Sequence, residues 1–453
     1  MNTPWYQDAI FYHIYPLGLC GAPMCQEADA PVTHRLDRLV PWLQQAKSLG
    51  ATAIYLGPVF ESVSHGYDTA DYYHIDRRLG DRDNFRRFAD SVHQQGMKLV
   101  LDGVFNHVGR SFWAFQEVLE KGEKSPYVNW FRNLRFGEHS PMGDPFSYGS
   151  WQGHFDLVEL NLTDTHVREH LFGAVEMWMN EFGIDGLRLD AADCLDFDFL
   201  RALRKFVKAH RGDFWIMGEV VHGDYRDWVN PETLDSVTNY ECYKGLYSSL
   251  NADNYYEIAY SLNRQFGEEG IYKSFPLYNF VDNHDVNRVA SQLESEVHLY
   301  PLYVLLFTMP GIPSVYYGSE WGIRGIKGDH SDEHLRPRLE LDHISQIAPQ
   351  PDLEDFVRTL SRIRHEAVAL RHGNFQTLHI DHRQFVFTRK SMDDEVLVAL
   401  NSSEKPADLD LCLPAQAQNY IDLLNQGDTF QISNGKLQVR IHPNGGRILK
   451  RFD

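Results

Sequence analysis

The octapeptide GLRLDAAD, Gly186 to Asp193, reads as a short buried strand, Gly186-Leu187-Arg188-Leu189, that stops at a carboxylate, Asp190. Leu187 and Leu189 alternate with Arg188, so a guanidinium shares a strand face with the acid just beyond it. A cation held within a few ångström of a carboxylate favours its ionised form. An ionised, partly desolvated carboxylate at a strand end is what a nucleophile requires. Taken alone, the same eight residues also suit a structural Arg–Asp pair in a core, so the decision passes to the rest of the chain.

Working outward, short apolar runs recur with helical segments between them. The runs are Ala9 to Tyr15, Thr52 to Leu56, Lys98 to Leu101, Gly186 to Leu189, Trp215 to Met217, Ser236 to Tyr240, Leu277 to Val281 and Pro313 to Tyr317. Helices are expected at 35–48, 83–95, 165–182, 197–210, 252–266 and 353–371, several of them opening on Thr, Asp or Asn caps. Eight strand candidates with intervening helices predict an α/β fold, a (β/α)8 TIM barrel. One interval is too long for a plain connection: about fifty residues rich in Trp, Phe, Gly and Pro separate Asn106 from Leu160. It reads as a small subdomain over the strand mouths. Past Arg371 the pattern turns to period-two alternation, as in Gln384-Phe385-Val386-Phe387-Thr388, which predicts an antiparallel β domain of about eighty residues. The expected division is therefore barrel at 1–106, inserted subdomain at 107–159, barrel again at 160–372, and the C-terminal β domain at 373–453.

Composition narrows the partners. Hydrophobic content of 43% and charged content of 23% are globular values for a chain of 453 residues. A net charge of -20 argues against nucleic acid or an anionic membrane and favours a neutral substrate. Aromatics at 13%, with 9 Trp and 23 Tyr, suit both core packing and the stacking faces of sugar clefts. Five irregularly spaced cysteines, at 20, 25, 194, 242 and 412, predict reduced thiols. The opening MNTPWYQDAIFYHIYPL has no basic segment followed by an apolar one, so a cytoplasmic location is expected. No apolar run reaches about 18 residues, so no membrane span is expected.

Barrel enzymes carry their chemistry at the C-terminal ends of the strands. After the third strand come Asp102 and His107, after the fourth Asp190, after the fifth Glu219, and after the seventh His284 and Asp285. Asp190, Glu219 and Asp285 with two histidines and Arg188 at one rim are hard to explain as packing.

On DGVFNH, GLRLDAAD, GEV and FVDNHD, in that order and at barrel spacing, the chain resembles glycoside hydrolase family 13, the α-amylase family. TAIYLGPVF, HGYDTADYY and PGIPSVYYGSE support the resemblance, which runs over nearly the whole chain. It implies that Asp190 is the nucleophile, Glu219 the general acid/base and Asp285 the transition-state stabiliser. It implies further that Tyr67, His107, Arg188 and His284 line the subsite of the transferred sugar, with Asp102 in support, and that Asp332 and Arg336 serve the next glycone subsite. Retaining cleavage needs an ionised carboxylate and a protonated carboxyl about 5 to 5.5 Å apart. Arg188 is expected to keep Asp190 charged, and the neighbouring acids to raise Glu219.

In many family members a calcium ion ties the insertion to the barrel, with a ligand at the position of Asn106 and a histidine four residues past the nucleophile. Here Cys194 stands there, a poor donor for a hard cation, so no calcium is predicted at that site and no cofactor is expected, calcium elsewhere in the chain being left open. The stretch Leu157-Val158-Glu159-Leu160-Asn161, and His222, Asp224 and Trp228 after Glu219, resemble the neopullulanase and cyclomaltodextrinase branch. FVDNHD is α-amylase-like, and Asp193 replaces a Lys usual in α-amylases. The expected activity is hydrolysis of α-1,4-glucosidic bonds in maltooligosaccharides, cyclodextrins or starch-derived dextrins. The alternatives are transglycosylation on the same site and a non-catalytic sugar-binding scaffold.

Overall fold

The computed structural model describes residues 3–27, 30–329, 331–413, 419–425 and 427–452. The chain folds as an α/β barrel carrying an insertion and a C-terminal antiparallel β domain. The barrel strands are β1 (Phe11–Ile14), β2 (Ala53–Leu56), β3 (Lys98–Gly103), β4 (Gly186–Leu189), β5 (Trp215–Gly218), β6 (Ser236–Val237), β7 (Tyr278–Asn279) and β8 (Ile312–Tyr316). They run parallel in the spatial order β6-β5-β4-β3-β2-β1-β8-β7. A parallel bridge between Thr238 and Tyr278 joins the two ends and closes the ring.

Alternation along each strand divides its side chains between two environments. Outward residues such as Ile54, Leu101, Leu187 and Ile216 pack with the surrounding helices in the main core. Inward residues Phe11, Ala53, Tyr55, Val100, Trp215, Met217, Tyr278, Phe280 and Ile312 fill the barrel interior. The helix Thr165–Glu181 leading into β4 starts at Asp164, whose carboxylate accepts from the backbone N–H groups of His166 and Val167. Its buried Val167, Leu171, Ala174, Val175 and Trp178 recur at three- and four-residue steps.

Three elements depart from the sequence expectation. Tyr240 was expected to end the sixth strand and instead opens the helix Tyr240–Asn251, capped by the Asn239 side chain. The helix expected over 252–266 begins at Tyr256. The helix Leu299–Thr308 was not expected at all: every residue except Tyr300 is buried, so no polar face exists to produce a helical period. Among the described residues no helix is long and apolar enough to cross a membrane.

Between β3 and the helix Thr165–Glu181 the chain builds a three-stranded sheet from His107–Gly109, Ser150–Trp151 and His154–Glu159. The helix Trp113–Lys121 and the paired segments Arg135–Phe136 and Phe146–Ser147 complete it. After the barrel come β9 (Asn374–Ile380), β10 (Gln384–Lys390), β11 (Glu395–Asn401), β12 (Ala407–Cys412), β13 (Asn419–Asp422), β14 (Thr429–Ser433), β15 (Lys436–Ile441) and β16 (Gly445–Phe452). They form one antiparallel sheet in the order β9-β10-β11-β16-β13-β14-β15-β12. One face of it, with Val386, Leu397, Leu437 and Leu449, has its own apolar core. Phe385, Phe387 and Val398 on the other face join the core of the barrel.

Candidate active site

Strand register brings the polar groups together. Residue 188 on β4 lies beside residue 102 on β3, and residue 189 beside residue 218 on β5. Backbone hydrogen bonds carry the pairing past the strand ends: Asp190 N–H donates to Gly103 O at 3.1 Å and Glu219 N–H to Leu189 O at 2.9 Å. Ala191 then takes a left-handed backbone (φ 44°), which is strained for a residue with a Cβ, and turns the chain sharply away. Asp190 and Glu219 are thereby held at adjoining strand mouths.

Arg188 is the hub of the site. Its Nη1 donates to Asp102 Oδ1 at 2.8 Å and to Asp190 Oδ1 at 2.9 Å, and its Nη2 pairs with Glu219 Oε2 at 2.6 Å. Only 3% of its side chain is exposed. Burial disfavours the cation, yet Asp102 and Glu219 more than offset it, and the guanidinium is held charged. Asp102 is fixed from its other oxygen, which accepts from Tyr55 Oη at 2.9 Å and Tyr67 Oη at 3.0 Å.

The ionisation of the pair differs from the sequence expectation. Arg188 was expected to keep Asp190 charged and the crowding to act on Glu219. In the structure burial pushes the Asp190 carboxyl well above the usual range; Arg188 opposes this, while Glu219, Asp102 and Asp285 add to it. One cation among this many buried carboxylates leaves excess negative charge, which favours the protonated form of Asp190.

Asp285 follows the opposite course. Burial raises it, but His284, Arg336 and Arg188 together overcome that and hold it far below the usual carboxylate range. His284 Nε2 lies 2.8 Å from Asp285 Oδ2, and Arg336 Nη2 donates to Asp285 Oδ1 at 2.9 Å. Arg336 also donates from Nη2 to Asp332 Oδ2 at 3.0 Å and from Nε to His284 O at 2.9 Å. Asp332 and Arg336 are thus joined to the same cluster. The His284 ring lies nearly parallel to those of Tyr67 (centroids 5.4 Å apart, planes 7° apart) and Tyr15 (5.8 Å, 13°), and its Nε2 shares a hydrogen bond with the Tyr67 hydroxyl.

His107 completes the rim. Burial, with a further contribution from His65, pushes its pKa down to about 3, so it is neutral. Asn106 Nδ2 lies 3.3 Å from His107 Nδ1, and Nε2, which has no hydrogen-bond partner among the described residues, lies 3.9 Å from Asp190 Oδ2. A buried, unpaired ring nitrogen beside a carboxylate is ready for a hydroxyl of a bound molecule, which can donate or accept. Cys194, at the position of one calcium ligand in the family, is a free thiol and a poor donor for a hard cation. No group of three or more His, Cys, Asp or Glu able to hold a metal ion occurs among the described residues.

All ten residues singled out in the sequence therefore lie in one contact network: Tyr67, Asp102, His107, Arg188, Asp190, Glu219, His284, Asp285, Asp332 and Arg336. Sequence reasoning missed Tyr15, Tyr55, His13 and Tyr240. Tyr240 Oη donates to Glu219 Oε1 at 3.3 Å and accepts from Asn283 Nδ2 at 3.2 Å. His13 stacks on Tyr55 (4.2 Å, 24°) and meets the edge of His284. A signal existed for three of these. Phe11, His13 and Tyr15 recur every second residue, as do Ala53 and Tyr55, so each inward face turns from apolar to polar toward the mouth. Tyr240 gave none, because it sits on a helix that was not expected to start there.

Comparisons with known proteins agree with this geometry. The family profile for the α-amylase catalytic domain matches residues 34–362, and that for the C-terminal domain of maltogenic amylase matches residues 375–448. A cyclomaltodextrinase from a Bacillus species is 31% identical over 426 residues, covering 88% of this chain and 74% of that protein. Neopullulanase 2 of Thermoactinomyces vulgaris is 31% identical over 480 residues, covering 99% of this chain and 78% of that protein. Among solved structures, a cyclomaltodextrinase superposes with a TM-score of 0.87 at 28% identity, covering 100% of this chain and 79% of that one.

Proposed function

Since this chain belongs to the α-amylase family, glycoside hydrolase family 13, and is a glycosidase, we propose that it cleaves α-1,4-glucosidic bonds in maltooligosaccharides, cyclodextrins or starch-derived dextrins with retention of configuration. The observation that carries this reading is the single guanidinium of Arg188 contacting both Asp190 and Glu219, with the ionised Asp285 on the same rim. Two carboxyls bonded to one guanidinium suit the short separation of a retaining pair better than the wider one of an inverting pair, which favours a covalent glycosyl-enzyme over direct displacement.

In this mechanism Asp190 attacks the anomeric carbon while Glu219 protonates the departing oxygen. The proton given to the departing oxygen comes from Glu219, and Asp190 attacks as the carboxylate beside Arg188. Glu219, now a carboxylate, takes a proton from water, which attacks the same carbon and releases Asp190. Asp285, kept ionised by His284 and Arg336, stabilises the positive charge that develops on the flattened ring. His107 Nε2 and the Tyr67–His284 pair orient the hydroxyls and the face of the sugar, and their hydrogen bonds strengthen as the ring changes shape. Asp332 and Arg336 extend the network toward the preceding sugar. The names of the relatives, cyclomaltodextrinase and neopullulanase, support the substrate class. The free cysteines suit a cytoplasmic location.

Product analysis tests the reading. Maltoheptaose and β-cyclodextrin, followed by NMR through the first seconds of turnover, are expected to give shorter maltooligosaccharides whose new reducing ends appear first as the α-anomer. Turnover confined to sucrose, trehalose or α-1,6 linkages would sink the assignment, and an initial β-anomer would sink the retaining mechanism.

A further inference from the structure

A second cavity lies at the opposite end of the barrel from the acids. It holds about 330 Å³, within the about 300–1,000 Å³ common to small-molecule sites. It opens where the chain enters β7 and β8, at Pro276 and Pro310 to Ile312, and its other wall is the junction with the C-terminal domain at Arg371 to Gly373 and β10.

The chemistry of its lining is one-sided. Its polar side chains are Gln7, Lys273, Ser274, Arg371, His372 and Arg389, and no carboxylate lines it among the described residues. That is unusual in a chain with a net charge of -20. Arg389 is 1% exposed and makes only carbonyl contacts: Nη1 donates to Thr308 O at 2.6 Å and Leu370 O at 2.9 Å, and Nη2 to Gly373 O at 3.0 Å. Behind it Arg364, fully buried, likewise donates only to carbonyls, Phe307 O at 2.8 Å and Gly311 O at 2.5 Å, and its Nε is unpaired. Arg371 pairs with Asp8, which His372 also contacts, but the buried Arg371 Nε has no partner. Asp8 is the one carboxylate among the described residues bonded to this group, and it is taken by Arg371 and His372. The mutual repulsion of the three guanidiniums is visible in the ionisation: burial and then Arg371 push Arg364 down to about 9, and burial and then Arg364 push Arg389 down as well.

We propose that this cavity binds a small phosphoryl anion, a phosphate monoester with a body the size of a monosaccharide. Lys273 and Ser274 line it from the loop before β7, Arg371 from the end of the barrel and Arg389 from β10 of the C-terminal domain, so basic groups border it from two sides as a tetrahedral oxyanion requires. Phe275 and Pro310 supply an apolar wall for the remainder of the molecule. The bound anion would relieve the repulsion among the three arginines and tie the barrel to the C-terminal domain. The site is separate from the glycosidase rim and independent of the substrate assigned there.

Isothermal titration of the full chain with inorganic phosphate, glucose 1-phosphate and glucose tests this, against chloride at matched ionic strength. Saturable binding of the monoester, at least about threefold tighter than inorganic phosphate, is expected, with a rise in Tm of about 2 °C at saturation. Lys273 is exposed and donates only to Glu268 O, so Lys273→Glu folds normally; it is expected to weaken monoester binding at least about tenfold. Gln7→Glu, which brings a carboxylate to the other wall, should do the same. Glucose 1-phosphate held at the glycosidase rim instead would bind both variants as it binds the parent, and that result overturns the proposal. So does the absence of saturable binding by either phosphate compound, or an equal effect of chloride. Equal affinity for inorganic phosphate and the monoester would overturn the monosaccharide-sized ligand.

Discussion

Each end of this barrel buries arginine, and the two ends treat it in opposite ways. At the catalytic rim Arg188 sits among Asp102, Asp190 and Glu219, where surrounding negative charge holds it firmly protonated. At the base Arg364 and Arg389 donate to main-chain carbonyls alone, and burial with mutual repulsion depresses both. A guanidinium surrounded by more carboxylates than it can neutralise favours a protonated carboxyl in the site, which an acid/base reaction uses. A guanidinium satisfied only by dipoles keeps an unneutralised charge, which an anion can take up. The difference lies in the partners that the tertiary fold delivers, not in the residue.

Three substitutions break or sharpen this contrast. The largest effect is expected for Arg188→Met. Without the shared cation, kcat/KM on maltoheptaose should fall by about 10³-fold or more while the chain stays folded. Arg188 opposes the upward push on Asp190, so its removal should move the acid limb of kcat/KM to higher pH, measured as a pH profile of residual activity. A loss below tenfold with an unmoved limb would remove Arg188 from the centre of the site.

Next, Arg364→Met at the base should act on stability. It leaves Phe307 O and Gly311 O without their donors, and urea unfolding should show a loss of about 2 kcal/mol. An unchanged midpoint would mean that these carbonyls find other partners and that the buried cation is not structural.

The smallest expected effect has the opposite sign. Asp190 is raised in the folded state, so folding takes up a proton between its unfolded value, about 3.9, and that higher value. Stability is therefore full below the unfolded pKa and is lost as pH rises across that window. Asp190→Asn removes the loss, and Tm at pH 7 should rise by about 1 to 3 °C, a gain that shrinks as the pH falls. A lower Tm at pH 7 would show that the Arg188–Asp190 contact outweighs the burial of the acid. The same variant is inactive in the proposed mechanism.

Much of this was legible before any coordinates. Leu187 and Leu189 flanking Arg188, and the acids standing just past apolar runs, follow from the two-residue period of a strand and need no tertiary information. The helix Thr165–Glu181 was legible from its Asp164 cap and its apolar stripe. The helix Leu299–Thr308 was not, because periodicity vanishes when nearly every face is buried. His13, Tyr15 and Tyr55 were legible in principle from alternation, but which of two strand faces points inward is settled only when the ring closes.

The sequence by itself determined the set of strands, the alternation that puts Arg188 in phase with Asp190, and the acids at 190, 219 and 285, because these depend on neighbours a few residues apart. Only the tertiary structure decided that one guanidinium is shared by residues 102, 190 and 219, and that Arg364 and Arg389 are buried among main-chain carbonyls while Arg371 takes Asp8. Ionisation depends on burial and on charges from distant parts of the chain, and those distances exist only after folding.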